Sequence, residues 1–404
     1  MLRSALPLAL ASFVSALATA VPAHADGVAS ARVDDDRPQP REELVAPSVQ
    51  DVVDLREGWT QEPGAVLALE RGLDWLASQQ ARNPDGSFPR SGHRTERYAP
   101  VGVAALAALA WMSAGSTPDR GPHGAATSKA IDYLLAHVDL MPGSDQFGYI
   151  AREGDETSKI HGHGFATLAL AQAFVASPIG DPARAQDARS RAALERGQRV
   201  AEALEAAVRR IELSQSSSGG WWYDPQPSSQ SEGSTTVCLV QALRAARNVG
   251  VRVNELTIAR ALDYLERTRD PQTGRFRYAI DHAQQTTALT AAGITTLTSA
   301  GRYRGEDIAH SLRTIWTDLS DREAGLGEAP DFPYYERLYV AQAYWQMDDA
   351  RQFEEWVRNE RLRVLASQRE DGSWRDPNFG DCYATAMNCL FLALPEGLLP
   401  IFQR

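Results

Sequence analysis

One turn, repeated along the chain, limits what this sequence can fold into. Gln215-Ser-Ser-Ser-Gly219-Gly220-Trp221 and Gln368-Arg-Glu-Asp-Gly372-Ser-Trp374 share the pattern Gln-x-x-x-Gly-x-Trp. Gln80 to Phe88 is a looser copy ending in Asp85-Gly86-Ser87-Phe88. Gln146-Phe147-Gly148-Tyr149 and Thr273-Gly274-Arg275-Phe276 are weaker ones, and at Gly327 only the glycine and the spacing survive. The six glycines stand 45 to 71 residues apart, which leaves room for two helices and two loops in each unit.

Periodicity supplies those helices. Ahead of each turn an amphipathic helix is expected, over about 65–79, 125–138, 191–214, 255–268, 304–318 and 351–367. In the first, Val66, Leu69, Leu73 and Leu76 form one stripe while Glu70, Arg71 and Asp74 face away. After each turn comes a more uniformly apolar helix, over about 98–112, 162–175, 233–248, 284–300, 335–347 and 382–394. The run from Val101 to Trp111 is apolar on every face, as suits a helix buried all round. Twelve helices alternating half-wet and buried predict an all-α fold of two concentric rings, an α6/α6 toroid over residues 61–404 with the second helices inside.

These turns resemble those of the squalene–hopene cyclase and protein prenyltransferase superfamily. The likeness covers roughly residues 60–404 and is strongest at 215–221 and 368–374. Together with His161-Gly-His163-Gly, Tyr334-Tyr-Glu-Arg337 and the ending Leu398-Leu-Pro-Ile-Phe-Gln-Arg404, it looks like an exported bacterial branch. In that superfamily the glutamine and tryptophan tie helix ends together, so the resemblance implies a fold and leaves the chemistry open. The cyclase motif Asp-x-Asp-Asp is missing, and Asp348-Asp349-Ala-Arg-Gln352 lacks the last aspartate of a diphosphate-binding cluster. Asp381-Cys382 puts the two zinc-ligand types of the prenyltransferases side by side, where their motif sets them one residue apart. Neither a metal nor a cofactor is therefore expected.

Composition narrows the surroundings. Forty-one basic residues against fifty-two acidic ones, a net charge of −11, argue against a nucleic-acid partner. Residues 1–25 read as a secretory signal, with Arg3 ahead of the apolar run Leu6–Val21 and Ala23-His24-Ala25 as the cleavage pattern. That run is shorter than a bilayer span and no second one follows, so an exported chain without a membrane span is expected. Residues 26–60, with Asp34-Asp35-Asp36 and few apolar positions, read as a disordered tether. Three cysteines in apolar helical segments predict buried thiols and no disulfide framework. Nothing in the sequence sets an oligomeric state.

A closed ring would gather the inner-helix starts at one mouth, where dipoles and free N–H groups favour anions. His163, Glu232, Tyr335, Glu336, Arg337 and Asp381 are the candidate catalytic residues there, with His161, Trp222, Tyr223 and Tyr383 as candidate substrate contacts. They are expected to share one cavity, although an acid at a helix start also caps it without any substrate. The main reading is a binding protein or enzyme for an isoprenoid-like or other anionic amphiphilic small molecule. The alternatives are a cell-envelope polysaccharide hydrolase or lyase on a toroid, and a non-catalytic repeat scaffold.

Overall fold

The computed structural model describes residues 63–399 apart from 154, 156, 179, 302–304 and 347–349. The expected signal and tether, the Asp348-Asp349 pair and the last residues of the chain lie outside the described residues. Among those described are twelve α-helices, two short 3₁₀ turns and no strand beyond isolated bridges. The outer helices are α1 (Pro63–Gln80), α3 (Gly124–Ala136), α5 (Ala188–Leu213), α7 (Glu255–Thr268), α9 (Glu306–Glu323) and α11 (Ala350–Ser367). The inner helices are α2 (Pro100–Ser113), α4 (Lys159–Ala176), α6 (Gly233–Asn248), α8 (Thr287–Ser299), α10 (Pro333–Trp345) and α12 (Asp381–Ala393).

Inner helices pack side by side in chain order, and α12 packs on α2 to close the ring. Each outer helix lies mainly on the inner helix that precedes it, and α1 lies on α12. Burial follows: every residue of α2 is buried, whereas α5 buries one stripe that includes Val200, Leu204 and Ile211. Alanine and glycine let inner helices approach closely. A Cβ built on Gly164 of α4 would lie 2.6 Å from Cys238 Sγ of α6. All three cysteines are buried free thiols.

The repeated turn is a joint. The amides of Gln80, Gln215 and Gln368 each donate to the carbonyl of the turn glycine and to a carbonyl of the next outer helix. Trp221 Nε1 donates to Ile211 O and Trp374 Nε1 to Val364 O, both at 2.8 Å, pinning each turn beneath the helix it leaves. Gly219 has φ +101°, and a Cβ there would meet Arg260 O of α7 at 2.4 Å, so both conformation and contact demand glycine. Gly86, Gly148, Gly274 and Gly372 repeat this docking on α3, α5, α9 and α1.

The sixth turn departs from expectation. Gly325, at φ +74°, ends α9, with Leu326 N donating to Asp321 O and Gly325 N to Arg322 O. A Cβ on Gly327 would meet its own chain at Arg322, so among the described residues no glycine turn docks on α11.

Candidate functional site

All six inner helices begin on one face, and side chains and loops link them round the circle. Gly102 N of α2 donates to Ser158 Oγ at the start of α4 (3.4 Å). His161 Nε2 of α4 shares a hydrogen bond with Ser234 Oγ of α6 (3.0 Å), and Gly233 N donates to Tyr278 O ahead of α8 (2.8 Å). Arg322 joins Thr287 Oγ1 of α8 to the Glu336 carboxylate of α10. Tyr334 OH donates to Arg375 O ahead of α12 (2.6 Å), and Asp381 Oδ1 accepts from His93 Nε2 ahead of α2 (2.7 Å). Six positive helix ends therefore meet at this mouth.

Glu232 is fully buried and caps α6. Its Oε1 accepts from Thr235 N (2.6 Å) and its Oε2 from Ser234 N (2.9 Å), yet burial still pushes its pKa up. His161 lies 4.0 Å from this carboxylate, and burial pushes its pKa down to about 4. Tyr223 stands beside His161 with ring centres 5.8 Å apart, hydrogen-bonds Tyr278 OH at 2.8 Å, and packs edge-on to Trp222. His161, Glu232, Trp222 and Tyr223 thus form one group.

Asp381 and Tyr383 form a second, at the start of α12. Asp381 Oδ2 accepts from Arg369 Nη1 (2.9 Å), while its Oδ1 takes the His93 bond and the backbone N–H of Asp376 (3.3 Å). Asp376, itself buried, accepts Asn378 N and Phe379 N through Oδ1 alone. Burial, reinforced by the neighbouring Asp381 charge, raises its pKa. Tyr383 contacts both Phe379 and Tyr334, at 5.2 and 6.1 Å between ring centres. Asp376 and His93 were not singled out in the sequence. The signal for Asp376 is that Asp376-Pro377 follows Trp374 much as Asp224-Pro225 follows Trp221-Trp222. His93 sits in a loop and carries no such mark.

The remaining candidates lie elsewhere. His163 is fully buried, accepts Ile150 N at Nδ1 (3.2 Å) and has its pKa pushed down to about 3 by burial. Tyr335 turns inward beside Tyr339, 4.5 Å between ring centres, and burial raises its pKa, with Tyr339 and then Glu232 adding to it. Glu336 pairs with Arg322, and burial outweighs that pairing to raise its pKa. Arg337 donates to Glu360 Oε1 (2.7 Å) and Asn388 Oδ1 (2.8 Å), and against the opposing effect of burial Arg337 and Arg363 hold Glu360 below the usual range. Glu336 and Arg337 face a cleft between α9, α10 and α11 and do not join the other candidates. The ten residues thus fall into separate groups rather than one cavity.

Below the mouth, Tyr339 OH donates to Gln241 Oε1 (3.1 Å) and Gln241 Nε2 to Gln342 Oε1 (3.3 Å). These buried bonds join α6 to α10, the two inner helices on either side of α8. Among the described residues, no three His, Cys, Asp or Glu side chains come together as a metal site, and no helix is long and apolar enough to cross a membrane.

No protein-family model and no curated protein matches this chain. Among solved structures, the GH76A α-1,6-mannanase of Salegentibacter sp. HEL1_6 is similar over 82% of this chain and 99% of its own, with 12% identity and a TM-score of 0.55. An α-amylase from Clostridium perfringens is similar over 82% of this chain and 97% of its own, with 13% identity and a TM-score of 0.51. The fold is an α/α toroid. A type II terpene cyclase from Scytonema aligns over 84% of this chain and 98% of its own, with 14% identity but a TM-score of only 0.31. That score adds nothing to the likeness carried by the turns.

Proposed function

We propose that this chain is a polysaccharide hydrolase whose working carboxyls are Asp376 and Asp381, at the mouth of the toroid. One observation carries the reading: two buried carboxyls stand in unlike surroundings, with the backbone N–H of Asp376 donating to Asp381 Oδ1 (3.3 Å). Asp381 is ion-paired to Arg369 and hydrogen-bonded to His93, while Asp376 is held toward its protonated form by burial and by that neighbouring charge. Such a division suits a general acid beside an ionised partner. Half-buried Tyr334, Tyr383 and Phe379 around the pair, and Trp222, Tyr223 and Tyr278 across the mouth, offer flat faces for sugar rings. The mannanase and the amylase, both named for polysaccharide substrates, lend the fold alone. Export, expected from residues 1–25, suits a polymer met outside the cell.

The isoprenoid reading has less support, because Gln241, Tyr339 and Gln342 set buried polar groups between α6 and α10, where an apolar lining would be wanted. A lyase is also less well served. His163 is sealed away from the mouth and Arg337 is committed to Glu360. Reducing-end release from a panel of α-mannan, starch and β-glucan tests the proposal. Asp376→Asn is expected to lose about 10²–10⁴-fold of the rate while staying folded. No release from any of these polymers by the unaltered protein would overturn the reading.

A further inference from the structure

The cleft between α9, α10 and α11 has a volume of about 350 Å³, at the lower end of ligand-pocket sizes. It opens where the repeat fails. At five joints a glycine turn docks on the next outer helix, but α9 ends in the Gly325 cap and among the described residues nothing of the kind docks on α11. Paired charge lines the gap, mostly buried at Arg322, Glu336, Arg337 and Glu360 and half-exposed at Arg363 and Glu323. Arg322 holds Glu336, Arg337 holds Glu360, and Arg363 bridges Glu360 (2.9 Å) and Glu323 (3.0 Å). Three guanidinium groups therefore face three carboxylates, and the lining has no net charge. Trp356 supplies an apolar wall.

We infer that this cleft is a second saccharide-binding site, taking one or two neutral sugar units; the inference rests on the polysaccharide reading of the mouth. A sugar hydroxyl both donates and accepts, so it can insert between a guanidinium and a carboxylate and satisfy each. An anion or a cation would displace one member of the Arg322–Glu336 or Arg337–Glu360 pair and leave the other, largely buried, without that partner, which is costly. Buried Trp356 and half-buried Leu319 give the cleft an apolar side against which the C–H face of a pyranose can pack. The site also adjoins the mouth: the Arg337 guanidinium lies 5.5 Å from the centre of the Tyr334 ring, and Tyr334 meets Tyr383. One polymer chain can therefore reach both.

Calorimetric titration of the full chain carrying Asp376→Asn, with α-1,6-mannobiose, maltose, cellobiose and digalacturonate, tests this. At least one neutral disaccharide is expected to bind, and digalacturonate to bind at least tenfold more weakly. Adding Leu319→Trp, which fills the cleft, should weaken binding tenfold or more. Arg363→Ala, at a half-exposed residue, should weaken it several-fold while leaving the melting temperature within a few degrees. Absence of neutral-sugar binding, binding unchanged by both cleft substitutions, or a preference for digalacturonate would overturn the inference. Cleft-dependent binding in a protein that releases no reducing ends would sink the hydrolase reading and leave this one standing.

Discussion

His163 shows how much one buried side chain ties stability to acidity. Its Nδ1 accepts Ile150 N–H, so the imidazole is neutral with its proton on Nε2, and no solvent reaches it. In the folded chain it takes a second proton only near pH 3, whereas an unfolded histidine does so near its ordinary 6.5. Between those values the unfolded chain holds more protons, so stability is complete above about pH 6.5 and falls as pH drops toward 3. The slope from this one group is about 1.4 kcal/mol per pH unit. His161, pushed down to about 4, acts in the same direction. Urea unfolding at pH 7.5, 6 and 5 checks this. His163→Asn keeps an acceptor for Ile150 and should flatten the profile by roughly that slope.

At the scale of the element, the docked glycines carry the argument. Gly219 and Gly250 share left-handed backbone, at φ +101° and +91°, but only Gly219 lies against another helix. Gly250→Ala should cost about 1–2 kcal/mol, the strain of that conformation alone. Gly219→Ala should cost clearly more, because its Cβ would fall 2.4 Å from Arg260 O. Thermal melts of the two variants check the difference. The helices themselves were readable: 233–248 and 255–268 were expected and are observed as Gly233–Asn248 and Glu255–Thr268. Apolar periodicity and turn glycines are local signals, and the ring amplifies them six times. The sixth turn misled because a helix-capping glycine and a docked one look alike in sequence. The site was less readable for a geometric reason. Successive helical residues point about 100° apart, so Tyr335, Glu336 and Arg337 cannot all face the axis. Tyr335 turns inward and the next two turn toward the cleft. Asp376, in the loop before α12, has no periodicity to declare it.

Across the whole toroid, the last joint matches those within the chain. Gln368 bonds to Ala68 O of α1 and the Gly372 turn docks on Arg71, as Gln215 and Gly219 dock on α7. An open array of repeats behaves as a linear chain of coupled units, whose end members have one neighbour and fray first. Here the circle imposes periodic boundary conditions. Each unit has a neighbour on both sides, and two interfaces must break before a unit is free. Native-state hydrogen exchange should therefore find the amides of α1 as slow as those of α7, with unfolding in one transition. Gln368→Ala, which loosens the seam, should turn the ring into a line and let α1 exchange ahead of the rest; equal exchange across all helices in that variant would show that the seam carries no cooperativity.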